Sequence, residues 1–301
     1  MKKYLKTAIA LCIVALTIGM FTYYLSNHPD TLSQVKNLPP LTLLAIVGLY
    51  GVWFVAYALV TRGSLELYQK HMGVQENFLF NAYSNLINFF GPGQSGPIFR
   101  GAYLKKRHNL SVKSFVFTML IYYAFYGVIS IMMMFVGTRP WWQTVLLMVL
   151  AAGGSICIIR WYKRKNSAKM GDKPSLTFIH IGWIAAATAV QLITQAIIFG
   201  IELHNTGAHA SAGQVLAYTG VANFSLFVAL TPGAIGIRES FLLFSQGLHH
   251  IPSGTIVAAN VIDRGAYLVF LGVLFLLVLS LHAKDKLGIR QLQADTDQSE
   301  K

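Results

Sequence analysis

Long runs of Leu, Ile, Val, Phe and Ala fill the chain, separated by short polar stretches. The runs do not alternate in polarity and are close to a bilayer's thickness in length, which predicts spanning helices rather than barrel strands. Six read as full spans: roughly 4–25, 41–61, 114–136, 141–160, 178–201 and 254–281. Two more apolar segments, 78–107 and 214–248, are interrupted near the middle by Pro-Gly-x-x-Gly. The polar stretch after residue 283 reads as a short tail.

Composition agrees with the pattern. The 301 residues are 54% hydrophobic and 12% charged, against about 25% charged in soluble domains, so one polytopic membrane domain over 1–283 is expected. The start, "MKKYLKTAIALCIVALTIGMFTYYLS", is basic and then apolar. Its apolar run is as long as a span and no small-x-small site follows, so it reads as an uncleaved first helix.

A net charge of +13 raises the question of nucleic acid, but the basic residues lie between apolar runs and form no nucleic-acid motif. They follow the positive-inside rule instead. With both termini in the cytoplasm, 20 of the 24 Lys and Arg fall inside and only Lys36 and Arg139 outside; Arg238 and Arg264 lie within apolar segments. Arg100, Lys105, Lys106, Arg107 and Lys113 at the end of the first broken segment belong inside. That segment then enters from the cytoplasm and returns to it, and the second dips in from the opposite face. The expected fold is all-α, with about six transmembrane helices plus two re-entrant helical hairpins.

The hairpins align. Pro92, Gly93 and Gly96 of "FFGPGQSGPIFR" match Pro232, Gly233 and Gly236 of "ALTPGAIGIRES" at a shift of 140 residues. This suggests an inverted repeat, about 4–136 and 141–281, an architecture of secondary transporters. Gly allows backbone angles that helices forbid and Pro removes a donor, so the helix breaks. Each break starts a half-helix whose free N–H groups and positive dipole end suit an anionic head group. The plainer alternative is a structural kink.

Arg238 and Glu239 follow the second break, and Asp263 and Arg264 lie within the last span. An ionised side chain at the centre of a span costs roughly 3 kcal/mol or more. Sequence neighbours point in different directions on a helix, so the pairs expected are Arg238 with Asp263 and Glu239 with Arg264. They either fasten hairpin to span or form a head-group site, in which the arginines bind phosphate and an acid exchanges a proton or cationic group. Asn81, Asn85 and Asn88 share a face leading into the first break, a candidate cavity lining, as do Asn260, Asp263 and Tyr267 in the last span. Gln191 and Gln195 read as helix–helix glue. Arg100 either meets a head group or obeys the positive-inside rule.

Cys12 and Cys157 read as small buried hydrophobes. His204, His209, His249 and His250 lack a carboxylate or cysteine at ligand spacing, so no metal site is expected. Trp141, Trp142 and Trp161 sit at span ends as an aromatic belt.

The paired Pro-Gly-x-x-Gly elements, "PGAIGIRE" in the second, and the Asp263–Arg264 pair resemble the flippase-like membrane domain of lysylphosphatidylglycerol synthases over about residues 4–281. The resemblance implies lipid translocation between leaflets. The chain holds no aminoacyl-transfer domain, so a stand-alone member is expected, without lipid aminoacylation and without a cofactor. It would lie in a bacterial inner membrane, with membrane lipids as partners and a homo-oligomer left open. A second function class stays open here: a non-transporting, lipid-binding subunit that scaffolds a lipid-synthesis enzyme.

Overall fold

The computed structural model describes residues 38–91, 95–136, 138–166, 170, 174–228, 234 and 236–299, with side chains through residue 281. The expected first span and Cys12 lie outside these residues, as do Pro92, Gly93, Pro232 and Gly233.

All regular structure among the described residues is helical. The chain runs through α1 (Pro40–Glu66), α2 (Val74–Phe90), α3 (Ser95–His108), α4 (Val112–Phe135) and α5 (Trp141–Asn166). It continues through α6 (Phe178–Asn205), α7 (Ala212–Ser225), a single 3₁₀ turn (Leu226–Val228), α8 (Ile237–Phe244), α9 (Gln246–His249) and α10 (Ser253–Ser299). Helices α1, α4, α5, α6 and the Ser253–Leu281 part of α10 have 24 to 29 residues and are apolar enough to cross a membrane, where about 20 suffice. The protein is therefore an all-α polytopic membrane protein.

Local chemistry sets the helix starts. Pro40 opens α1, where its missing N–H costs nothing. The Ser111 hydroxyl accepts from the Ser114 N–H at the start of α4 (3.0 Å). Ser211 and Gln214 form a reciprocal capping box at the start of α7. The polar stretch after residue 283 is helical, because α10 continues to Ser299. Its Lys, Leu, Arg, Gln and Ala are good helix formers and give the helix no reason to stop at the membrane edge.

Each broken segment folds back on itself. At the first, the Ser95 hydroxyl donates to Ile87 O (2.8 Å) and the Gly96 N–H to Asn88 Oδ1 (3.3 Å). Further along the limbs, Glu76 accepts from Tyr103 (2.7 Å) and meets His108 (2.9 Å). These contacts make α2 and α3 antiparallel neighbours. Gly96 is required by this crossing, since a Cβ there would lie 2.7 Å from Asn88 Cβ and 2.8 Å from Ser84 O. At the second break, α8 packs on α7, and the His249 ring of α9 lies 5.6 Å from that of Tyr218 on α7.

Helices α1 and α6 pack lengthwise as the spine. One apolar cluster, including Ile46, Phe54, Ile198, Leu242 and Ile262, joins α1 and α6 to α8 and α10. Another, including Val60, Leu104, Phe117 and Ile184, joins them to α3 and α4. Helix α5 packs on α4 and turns most of its surface outward. Trp141, Trp142 and Trp161 are exposed near its ends. Cys157 is exposed on it too, not buried as its apolar run suggested, because α5 is peripheral.

A close backbone approach joins α4 and α7. A Cβ on Gly220 would lie 2.5 Å from Met134 N and 2.6 Å from Ser130 O, a small-residue crossing typical of membrane helices. Gly220→Ala must push the helices apart and should cost about 1–3 kcal/mol, read as a lower unfolding temperature in detergent. Gly153→Ala on α5 meets nothing within 4 Å and should leave that temperature unchanged or slightly raised.

Candidate functional site

Residues flanking both interruptions and three of the buried charges come together at one place. Arg238 lies in the first turn of α8, and Asp263 and Arg264 lie in α10; all three are buried. Arg238 Nη2 donates to Asp263 Oδ2 at 2.5 Å, and its Nε donates to Asn260 Oδ1 at 2.9 Å. Asn260 donates to the Tyr218 hydroxyl (3.1 Å) and to Ile256 O (2.8 Å). Asp263 also accepts a short hydrogen bond from the Tyr50 hydroxyl. The Arg238 guanidinium rests over the Phe199 ring, 5.6 Å from its centroid. One bonded chain thus links α7, α8, α10 and α1.

The second pair lies beside the first. Arg264 Nη2 donates to Glu239 Oε1 at 3.3 Å, and Glu239 Oε2 accepts from the Gly236 N–H at 2.8 Å. Glu239 therefore serves two positive partners, an arginine and the N-terminus of α8. Gly236 sits at φ +83°, which a residue with a Cβ adopts only with strain. The sequence motif works here through its backbone: Gly236 makes the turn and Glu239 holds it. Both ion pairs join the elements that the sequence required.

Arg238, Asp263 and Arg264, but not Glu239, form one wall of a cavity of about 220 Å³. From the first broken segment, Asn85, Asn88, Phe89 and Pro97 line it; from the second come Leu226, Phe227, Ala234 and Arg238. Asp263, Arg264 and Tyr267 of α10 complete the charged side. Helices α1 and α4 supply an aromatic wall of Tyr50, Trp53, Tyr57, Tyr122, Tyr123 and Tyr126. The cavity is smaller than drug-sized pockets, which have about 300–1,000 Å³.

Several expectations change. Gln191 and Gln195 line the cavity rather than only gluing helices, and Gln191 accepts from the Tyr122 hydroxyl at 3.0 Å. Asn81 does not line it; it faces α1 and accepts from the Thr61 hydroxyl (2.8 Å). Arg100 does not line it either. It is buried behind Tyr57, donating to the Tyr57 and Thr61 hydroxyls, with its guanidinium 4.6 Å from the Tyr57 ring centroid. Gly96 serves the crossing of α2 and α3. His249 is buried, bridging Leu242 O (3.0 Å) and the Ile251 N–H (3.2 Å).

Two sets of residues escaped the sequence reading. The tyrosines sit mid-run, where they pass for core; the seven-residue spacing of Tyr50 and Tyr57 and the four-residue spacing of Tyr122 and Tyr126 were the available signal. Glu202 fell just past the expected end of its span, but α6 continues to Asn205 and buries it completely.

The family model for the lysylphosphatidylglycerol synthase TM region matches residues 5–274. No curated protein matches the chain.

The two ion pairs give a direct test. Asp263→Asn leaves the buried Arg238 short of its counter-charge and should cost about 3–5 kcal/mol, whereas the double change Arg238→Met with Asp263→Leu should cost less than either single change. Unfolding in detergent would read this. A loss in the double variant equal to the sum of the two single losses would show that the pair does not act as a unit.

Proposed function

The chain belongs to the family of the lysylphosphatidylglycerol synthase TM region, and from that premise we propose that it translocates an anionic or zwitterionic lipid between bilayer leaflets. The head group passes through the cavity while the acyl chains stay in the bilayer. The observation that carries this reading is that both broken segments border the same cavity and two buried arginines line it.

In the proposed cycle the broken segments are re-entrant hairpins dipping from opposite faces, related as an inverted repeat, with both termini cytoplasmic. Backbone freed at the breaks requires shielding by protein or a wet cavity. Guanidinium groups recognise phosphate by paired hydrogen bonds. Arg238 and Arg264 hold the phosphate, and Asp263 and Glu239 reclaim the arginines on release. Asn85, Asn88, Gln191 and Gln195 offer hydrogen bonds to the rest of the head group. The partners are therefore membrane lipids, and the role is transport rather than chemistry.

Leaflet exchange in proteoliposomes, with a panel of head-group-labelled lipids, tests the reading. Exchange of one lipid class should fall at least about tenfold, a loss of roughly 1.4 kcal/mol, in Arg238→Ala and Asp263→Asn variants that remain folded. No exchange of any lipid, with head-group binding intact, would sink translocation and favour a scaffold for a lipid-synthesis enzyme.

A further inference from the structure

Glu202 has no role in the account so far, yet it is the least expected acid in the molecule. It is fully buried, and neither carboxyl oxygen meets a hydrogen-bond donor among the described residues. Helix α6 packs against α10, whose Asp263 belongs to the charged cluster around Arg238. Phe199, one turn earlier on α6, touches Arg238 and Tyr218, so this face of α6 abuts the charged cluster. The groups around Glu202 are Tyr50 from α1, Tyr218 from α7, Arg238 from α8, and Asp263 and Arg264 from α10. From α4, Tyr122 donates to Gln191, three turns away along α6.

Charge decides what such a carboxyl can be. Arg238 with Asp263 and Arg264 with Glu239 already balance. An ionised Glu202 would add an uncompensated charge beside another carboxylate, and like charges at this range cannot both persist in an apolar site. A proton between the two carboxyls supplies the missing donor.

We propose that Glu202 and Asp263 form the proton-coupling site of the translocation cycle, holding one proton while Arg238 sits on Asp263 and taking a second when Arg238 turns to a phosphate. The second proton binds the carboxylate oxygen that Arg238 vacates, leaving both acids neutral. When the phosphate departs, Arg238 returns and that proton leaves. Asp263 and Tyr50 line the cavity, so the proton exchanges with the aqueous phase through the same space as the head group. Glu202 thus acts through Asp263 as a positioning and proton-holding residue. The second proton rests on the translocation reading; the shared first proton does not.

Two measurements separate these. Infrared spectra of the purified protein in phosphatidylcholine bilayers should show a protonated-carboxyl stretching band near neutral pH. That band should be lost in Glu202→Gln and kept, but shifted, in Glu202→Asp. In proteoliposomes with labelled phosphatidylglycerol, a pH gradient of one unit should shift the steady-state leaflet ratio about tenfold for one proton per lipid, and Glu202→Gln should abolish that shift. A band unchanged in Glu202→Gln, or exchange indifferent to the gradient in the unaltered protein, overturns the proposal. The band without exchange of any lipid would overturn translocation and its coupling, leaving only the shared-proton pair.

Discussion

The bond between Arg238 and Asp263 is the constraint on which the rest of the site depends. It ties the returning limb of the second broken segment to the last span, deep among apolar residues. A charge buried there needs a partner, so the bond fixes where α8 lies against α10. Asn260 and Tyr218 extend the hold to α7, and Tyr50 extends it to α1. The neighbouring pair of Arg264 and Glu239 then falls into place, because Glu239 also closes the turn at Gly236.

The cavity follows from the same constraint. The described residues on either side of both interruptions border it, and it is walled by amides, tyrosines and three of the buried charges. Arg100 shows the contrast. Its bonds go to hydroxyls on α1 and its guanidinium lies against the Tyr57 ring, outside the cavity lining. Tyr57 stands between the two, bonded to Arg100 on one side and bordering the cavity on the other.

The sequence was most legible where it was least ambiguous. Four ionisable residues isolated in apolar runs had few choices of partner, and helix geometry selected between them. The spans at α1, α4, α5, α6 and α10 were readable from length and hydropathy. The aromatic wall was not, since a tyrosine inside an apolar run looks the same whether it faces core or cavity. Gln191 and Gln195 misled for the same reason, as an amide can join helices or line a cavity. Glu202 was hidden by a boundary error of a few residues at the end of α6, where a helix that continues turns a loop residue into a buried one.

The proposed translocation requires that this cavity be reached in turn from both membrane faces. Cysteine accessibility tests it most directly: Asn88→Cys in a background with Cys12 and Cys157 changed to Ser, reconstituted in vesicles, with a membrane-impermeant thiol reagent added to one side at a time. The account predicts labelling from both sides, with the ratio shifting when the transported lipid is present. Labelling from a single side, unchanged by any lipid, would contradict it.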